Sequence, residues 1–344
     1  MGYAAAGRGA KGHDRPEISV LLAHSKAALF ERLVATDLVK DARLQRELLN
    51  YFPSPLRRDY RSAILDHPLR REILAAHLTN LVVNRMGATF CNYLLENSSA
   101  DAASLVRAFI AARDLLGIEV LDRELDRLVG ELPHSLLMEL QLRLHGVLHR
   151  MVFRLFRKAP GGLGCDALIR RYQAACDCLR DTLPEQLPGS ELACLQEDAA
   201  TLAGAGVPVE LADALARLKY QPIALEVEEV RQIVTRPLAD CLRQYLAIGA
   251  AVELHWIRRE IESLPLYDKW YRKAREALHD GLLQSVRQLA VAALSNGPVG
   301  NGKPDVAGLA GLLGELRSMD GLNIAMLTTM VGQLSRLASS PETV

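Results

Sequence analysis

The chain has few aromatic residues: Phe, Trp and Tyr together make up 5% of its 344 positions. Leu and Ala dominate the hydrophobic residues, which account for 49% of the sequence. Sheets favour aromatic and β-branched residues, whereas unbranched side chains lose little rotamer freedom in a helix. The sequence also lacks any sustained alternation of polar and apolar residues and any repeat of fixed period. We therefore predict an all-α, irregular multi-helix fold that can divide into two helical subdomains.

An excess of charge of either sign is lacking as well, because 41 Lys and Arg residues balance 41 Asp and Glu residues. No tail or half of the chain is basic, although binding to nucleic-acid phosphates requires clustered positive charge. No apolar run approaches the roughly 18 residues of a membrane-spanning helix. Residues 1–12 lack the apolar core of a signal peptide. We expect a cytoplasmic protein with neither a nucleic-acid partner nor a membrane partner.

The motifs that usually hold a nucleotide are incomplete. The loop from Gly297 to Lys303 has the spacing of a phosphate-binding loop, but Pro304 stands where Ser or Thr would hold magnesium. No predicted strand precedes this loop, so we interpret it as a flexible connector. No G-x-G-x-x-G motif follows a strand and opens a helix, so a dinucleotide-binding fold is not predicted. We expect this chain to bind no cofactor.

Candidate metal ligands are equally incomplete. His145 and His149 lie one helical turn apart, but Gly146 stands where the H-E-x-x-H zinc motif requires glutamate. We interpret the two histidines as a solvent-facing or core-edge pair. Cys176 and Cys178 point to different sides of a helix, a poor geometry for sharing a metal, and the cysteines are interpreted as buried free thiols. The sequence assigns no catalytic, cofactor-binding or metal-binding residue.

Glycine and proline divide the chain into five predicted parts. The clearest linker is the glycine-rich stretch at 159–165. We predict a disordered segment at 1–13, a helical subdomain at 14–158, this linker, a second helical subdomain at 166–295, and a Gly/Pro loop with terminal helices at 296–344.

The first helix is predicted to begin at Asp14, whose side chain can cap it, with Glu17 three residues later as in a capping box. Apolar residues then recur at helical spacing and predict one buried stripe. This stripe consists of Ile18, Leu21, Leu22, Leu29 and Leu33.

A longer helix is predicted to begin at His67-Pro68 and to run towards Glu96. Ser98 or Ser99 is predicted to cap the next helix, from about Asp101 to Leu116.

A polar stripe on the longer helix is the best candidate site. His77, Asn80 and Asn84 fall at positions i, i+3 and i+7, so they share one side of an otherwise apolar helix. Gly87 extends this side and would let another backbone approach closely. Buried polar side chains need hydrogen-bond partners. We interpret the stripe as a buried network of hydrogen bonds between helices that fixes packing; a ligand site is the alternative.

Several motifs, in one order along the chain, resemble a known family. They are His67-Pro-Leu-Arg-Arg-Glu-Ile73, Asn80, Val82-Val-Asn-Arg-Met-Gly-Ala-Thr-Phe90, Arg15-Pro-Glu-Ile-Ser-Val-Leu-Leu-Ala23, Ser25-Lys26, Tyr51-Phe-Pro53, Leu254-His-Trp256, Leu264-Pro265, Trp270 and Ala274-Arg275. Together they resemble the C-terminal helical region of the very large bacterial NAD-specific glutamate dehydrogenases. Ala76 departs from this pattern, because the family commonly has a hydroxyl residue there.

The resemblance implies a parent enzyme that oxidises glutamate to 2-oxoglutarate and ammonia with NAD, using a catalytic domain that lies before this region. The catalytic lysine and the dinucleotide-binding glycines of that domain have no counterpart in this sequence. The resemblance therefore implies a helical, non-catalytic region that buttresses the catalytic domain or forms subunit contacts. The chain would then be a fragment, a split gene product or a trimmed chain.

The expected partners are the catalytic portion of the same enzyme and further copies in a homo-oligomer. A helical chain that belongs to a longer polypeptide is expected to expose an apolar surface for the missing part. The first helix and the helix at Leu136–Phe156 are the predicted places. The alternative is a free-standing helical interaction or regulatory protein descended from the enzyme.

Overall fold

The structure, a computed structural model, describes residues 15–158, 163–295, 307–319 and 321–339. Within these ranges the secondary structure is helical and contains no β-strand, so the predicted all-α fold is confirmed. Three predictions lie outside the described residues: the disordered segment at 1–13, the cap at Asp14, and the loop from Gly297 to Pro304. Residues 159–162 of the predicted linker also lie outside them.

Within the described residues, most helices are joined by short connecting segments. The first nine are α1 (Arg15–Val34), α2 (Ala42–Asn50), α3 (Ser54–Asp59), α4 (Arg61–Leu65), α5 (Arg70–Met86), α6 (Ala88–Glu96), α7 (Ala102–Leu116), α8 (Ile118–Arg127) and α9 (His134–Lys158). The others are α10 (Cys165–Gln186), α11 (Gly189–Gly204), α12 (Val209–Leu218), α13 (Ile223–Val234), α14 (Leu238–Ala251), α15 (Leu254–Ser263), α16 (Lys269–Ser295), α17 (Ala307–Arg317) and α18 (Ile324–Ser339).

The described residues form two compact units. The N-terminal unit comprises residues 15–158, 163–173 and 206–219, and the C-terminal unit comprises the described residues of 174–205 and 220–339. The domain boundaries that the sequence suggested stay a prediction. None of the described helices is both long and apolar enough to cross a membrane.

Helix α7 is the central element of the N-terminal unit. Thirteen of its 15 residues are buried, and it packs mainly against α9, with further contacts to α1, α5, α6 and α8. Asp101 caps it, because the Asp101 carboxylate accepts a hydrogen bond from the Ser104 backbone N–H at 2.8 Å. The predicted cap at Ser98 or Ser99 is therefore wrong. The carboxylate reaches the first turn from the position next to the helix, as an N-cap side chain must.

Gly87 interrupts the single long helix that the sequence predicted from His67-Pro68 towards Glu96. Its φ of +77° lies in the region that favours glycine, so α5 ends there and α6 starts at the next residue. A Cβ atom built on Gly87 would meet no atom within 4 Å. The predicted close approach of another backbone is therefore wrong, and the glycine serves the turn.

The C-terminal unit is organised by α16, which packs against α18, α13 and α14. Its buried residues begin at Leu278 and recur at helical spacing: Leu278, Leu282, Ser285, Val286, Leu289, Ala290 and Leu294. The Arg287 guanidinium forms ion pairs with the carboxylates of Glu226 and Glu229 on α13. This contact neutralises Glu226, which is almost fully buried.

Candidate functional site

The predicted polar stripe lies along one border of α5. Asn80 and Asn84 are exposed and His77 is half-buried, so the predicted burial of the two asparagines is wrong. The core-facing side of α5 is taken by Leu74, Leu78, Val82 and their apolar neighbours. A one-position difference on a helix turns a side chain by about 100°, enough to bring the stripe to the border of the core.

Hydrogen bonds between helices do connect this stripe to α1. The Lys26 ammonium donates to Oδ1 of Asn80 and to Oδ1 of Asn84, each at 2.9 Å. Both acceptors are neutral amides, so they orient the ammonium group without neutralising its charge. The arrangement fastens the middle of α1 to α5.

His77, the third residue of the stripe, approaches a buried ion pair. Its Nε2 atom lies 3.6 Å from the Glu47 carboxylate, which the Arg113 guanidinium contacts at 2.7 Å. Burial raises the pKa of Glu47, but the contacts with His77 and Arg113 outweigh it and hold this pKa at about 2. Glu47 and Arg113 are thus both charged at neutral pH. Their pairing fits a structural role, since each satisfies the other inside the core.

Asp41 connects three elements next to an open depression of about 410 Å³. Its carboxylate accepts hydrogen bonds from the backbone N–H of Arg43, at the start of α2, and of Cys165, at the start of α10. The Arg107 Nε atom lies 3.5 Å from the same carboxylate. Burial raises the pKa of the Cys165 thiol far above its usual value. Asp41 is therefore occupied by helix capping, and the thiol is unreactive.

His145 and His149 stack with their ring centroids 4.1 Å apart. The Nε2 atom of His149 lies 3.0 Å from the Met86 carbonyl oxygen, and its N–H can donate to that oxygen. Burial and the neighbouring His145 lower the pKa of His149 to about 4, so this ring is neutral at pH 7. His145 is exposed and His149 half-buried, as expected for a pair at the border of the core.

The described ranges contain no cluster of three or more His, Cys, Asp and Glu side chains placed to hold a metal ion. The interpretation of the cysteines as buried free thiols is correct for Cys91, Cys165, Cys176 and Cys241. Cys178 is half-buried, and the interpretation is wrong for Cys194, which is exposed on the outer side of α11.

The first half of α1 exposes an apolar surface. Ile18, Leu21 and Leu22 are 54%, 51% and 41% exposed, and we call these three residues the α1 face. The predicted burial of the whole stripe is wrong, because only Leu29 and Leu33 are buried. The two buried leucines lie beyond Lys26, where α1 is fastened to α5. The first half of the helix extends past that attachment.

The second predicted apolar surface, on Leu136–Phe156, is mostly internal. Nine residues of α9 are buried, and they form the side that packs against α7 and α12. Met138 and Leu142 are the large apolar side chains of α9 that remain exposed. The prediction that this helix keeps its apolar side for a partner is therefore wrong, because α7 already covers it.

The fold and the α1 face together define an all-helical region with an exposed apolar surface on its first helix. Comparisons with known proteins place this region in a family. The chain belongs to the family described as "Glutamate dehydrogenase, C-terminal", whose model matches residues 10–336. The resemblance that the sequence motifs indicated is thus confirmed.

Three curated relatives carry the name NAD-specific glutamate dehydrogenase. The protein of Pseudomonas aeruginosa is 28% identical over 96% of this chain and 21% of its own length. That of Halomonas elongata is 30% identical over 82% of this chain and 17% of its own length. That of Mycobacterium tuberculosis is 28% identical over 84% of this chain and 18% of its own length. The chain therefore spans about a fifth of the length of the curated relatives it matches.

Proposed function

We propose that the chain acts as the helical, non-catalytic C-terminal region of an NAD-specific glutamate dehydrogenase and that it buttresses the catalytic portion of that enzyme. The parent reaction would be the oxidation of L-glutamate by NAD to 2-oxoglutarate and ammonia in the cytoplasm. Family membership and the short share of each relative's length support this proposal.

The observation that carries the docking role is the exposed α1 face. Ile18, Leu21 and Leu22 lie on one side of a helix at i, i+3 and i+4, the spacing of a surface that packs against a neighbour. The second half of the same helix packs against α5, so α1 is held in place while its first half presents leucine and isoleucine to solvent. Contiguous exposed apolar residues of this kind mark protein interaction sites.

The test is co-expression of the chain with the catalytic portion of the glutamate dehydrogenase from the same organism, followed by size-exclusion chromatography with light scattering. We expect a stable complex, and we expect Leu21→Asp to abolish it because a carboxylate would be desolvated in the interface. Leu142→Asp is the matched control, since Leu142 is 53% exposed on α9 and should tolerate the change.

If the chain forms no complex with the catalytic portion, the proposal is contradicted and a free-standing interaction protein is favoured. Equal binding by the Leu21→Asp variant would show that docking uses another surface. The proposal also expects the chain alone to bind no NAD, and calorimetry at micromolar concentrations checks this. We further propose that the assembled enzyme is a homo-oligomer, which light scattering on the complex measures directly.

A further inference from the structure

A second exposed surface lies where α16 begins. We call Leu266, Tyr267, Trp270 and Tyr271 the aromatic surface; all four are exposed, Tyr267 by 65% and Trp270 by 66%. Aromatic residues make up only 5% of the chain, so three of them within five positions form a local concentration. The first buried residue of α16 is Leu278, so none of the residues in the two turns before it is fully buried.

The local backbone holds these rings in a defined arrangement. The Asp268 carboxylate accepts hydrogen bonds from the backbone N–H groups of Trp270 and Tyr271, at 2.7 and 3.0 Å. The rings of Tyr267 and Tyr271 meet edge to face with centroids 4.9 Å apart. A partner that binds here would pay little to order the rings, because the capped helix already positions them.

The aromatic surface is also basic. The ammonium groups of Lys269 and Lys273 lie 5.5 and 5.7 Å from the centroid of the Trp270 ring. No carboxylate within the described parts of the chain forms an ion pair with either lysine, and that of Asp268 is engaged by the helix cap. Arg272 and Arg275 carry positive charges in the same turns, and Glu276 carries a negative one, so positive charges outnumber negative ones there.

We propose that the aromatic surface is a second docking surface, which receives an acidic segment of the catalytic portion of the enzyme. This inference rests on the proposed function. Exposed tryptophan and tyrosine are the residues that most often dominate the energy of protein interfaces. Two lysines that lack a carboxylate partner are complementary to acidic side chains at the border of such a contact. The charge balance of the whole chain disfavours a nucleic-acid occupant, which would require a wider basic region.

Fluorescence quenching of Trp270 tests this inference. The chain has two tryptophans, so Trp256→Phe leaves Trp270 as the sole reporter. We expect the catalytic portion to shield Trp270 from acrylamide, with an apparent Kd that rises with salt because exposed charges are screened. Trp270→Ala should weaken binding about tenfold, and Lys269→Gln with Lys273→Gln should weaken it about fivefold at low salt, when binding is followed by light scattering.

Two control variants and four outcomes make the test decisive. Tyr60→Ala and Lys40→Gln remove an exposed ring and an exposed charge from the N-terminal unit and should bind like the unmodified chain.

A complex that is broken by Leu21→Asp but leaves Trp270 accessible would overturn the inference and leave the proposed function standing. Absence of any complex would overturn both. Shielding of Trp270 by a second copy of the chain, or by a single-stranded thymidine oligonucleotide, would replace the acidic partner and overturn the inference. The inference would also be overturned if binding did not depend on salt and the lysine variants bound as tightly as the unmodified chain.

Discussion

Helix α7 and the first half of α1 share a pattern of apolar residues but lie in opposite environments. Both carry leucine or isoleucine at helical spacing, yet 13 of the 15 residues of α7 are buried and the α1 face is exposed. Five neighbouring helices surround α7, whereas the buried residues of α1, Leu29 and Leu33, both lie in its second half. The comparison teaches that helical periodicity identifies an apolar side, while the neighbours decide whether that side is core or interface.

The largest effect should follow from breaking the buried ion pair that α7 makes. Arg113→Met leaves the buried carboxylate of Glu47 without its main partner, so we expect a loss of about 3–5 kcal/mol in the free energy of unfolding. Urea denaturation measures it. Arg127→Met removes an exposed pair with Glu124 and should cost at most about 1 kcal/mol. Adding Glu47→Gln to Arg113→Met should recover part of the loss, and no recovery would argue against an uncompensated charge.

A leucine-to-alanine pair tests the comparison itself. Leu105 on α7 is fully buried, so Leu105→Ala should cost about 2–5 kcal/mol through lost contacts and a cavity. Leu21→Ala on the α1 face should change the free energy of unfolding by less than about 0.5 kcal/mol. Similar losses in the two variants, measured by urea denaturation of the isolated chain, would mean that the α1 face is packed in solution.

The predictions from sequence succeeded where local chemistry decides and failed where neighbours decide. The all-α fold and the predicted helix end at Leu116 follow from side-chain type and from the backbone freedom of the glycine that comes next, which any window of sequence contains. The exposure of Asn80 and Asn84 does not, because it depends on where α1 crosses α5 and on Lys26, more than 50 positions away.

The exposure of the aromatic surface is a second feature that neighbouring helices decide. The sequence motifs include Trp270 only as part of the family pattern, and its identity alone does not distinguish it from a core tryptophan. Its exposure follows from the fact that buried positions of α16 begin only at Leu278. The sequence does contain one indication of this exposure. Charged residues are concentrated in the first two turns of α16, which is typical of a helix segment outside the core.

The pH dependence of stability tests the environment of His149 at the border of the core. The pKa of His149 is about 4 in the folded chain, below the ordinary value of 6.5. As the pH falls through 6.5, the unfolded chain takes up a proton that the folded chain rejects, so stability decreases from pH 6.5 towards pH 4. His149→Gln should flatten this part of the curve of urea midpoint against pH. A curve that keeps its slope in His149→Gln would assign the effect to other groups.

The smallest effect is expected on the α1–α5 attachment. Asn84 is exposed, and the Lys26 ammonium has a second hydrogen-bond acceptor in Asn80. Asn84→Leu should therefore shift the free energy of unfolding by less than about 0.5 kcal/mol. A loss of more than about 1 kcal/mol in urea would show that the stripe is buried in solution, as the sequence first indicated.

Hydrogen exchange along α1 tests the central claim most directly. The amides of residues 17–25 would be followed by mass spectrometry in the chain alone and in the presence of the catalytic portion of the same enzyme. We expect these amides to exchange rapidly in the chain alone and to become protected in the complex, while the amides of α7 stay protected in both states. A complex in which residues 17–25 exchange as fast as in the free chain would contradict docking through the α1 face.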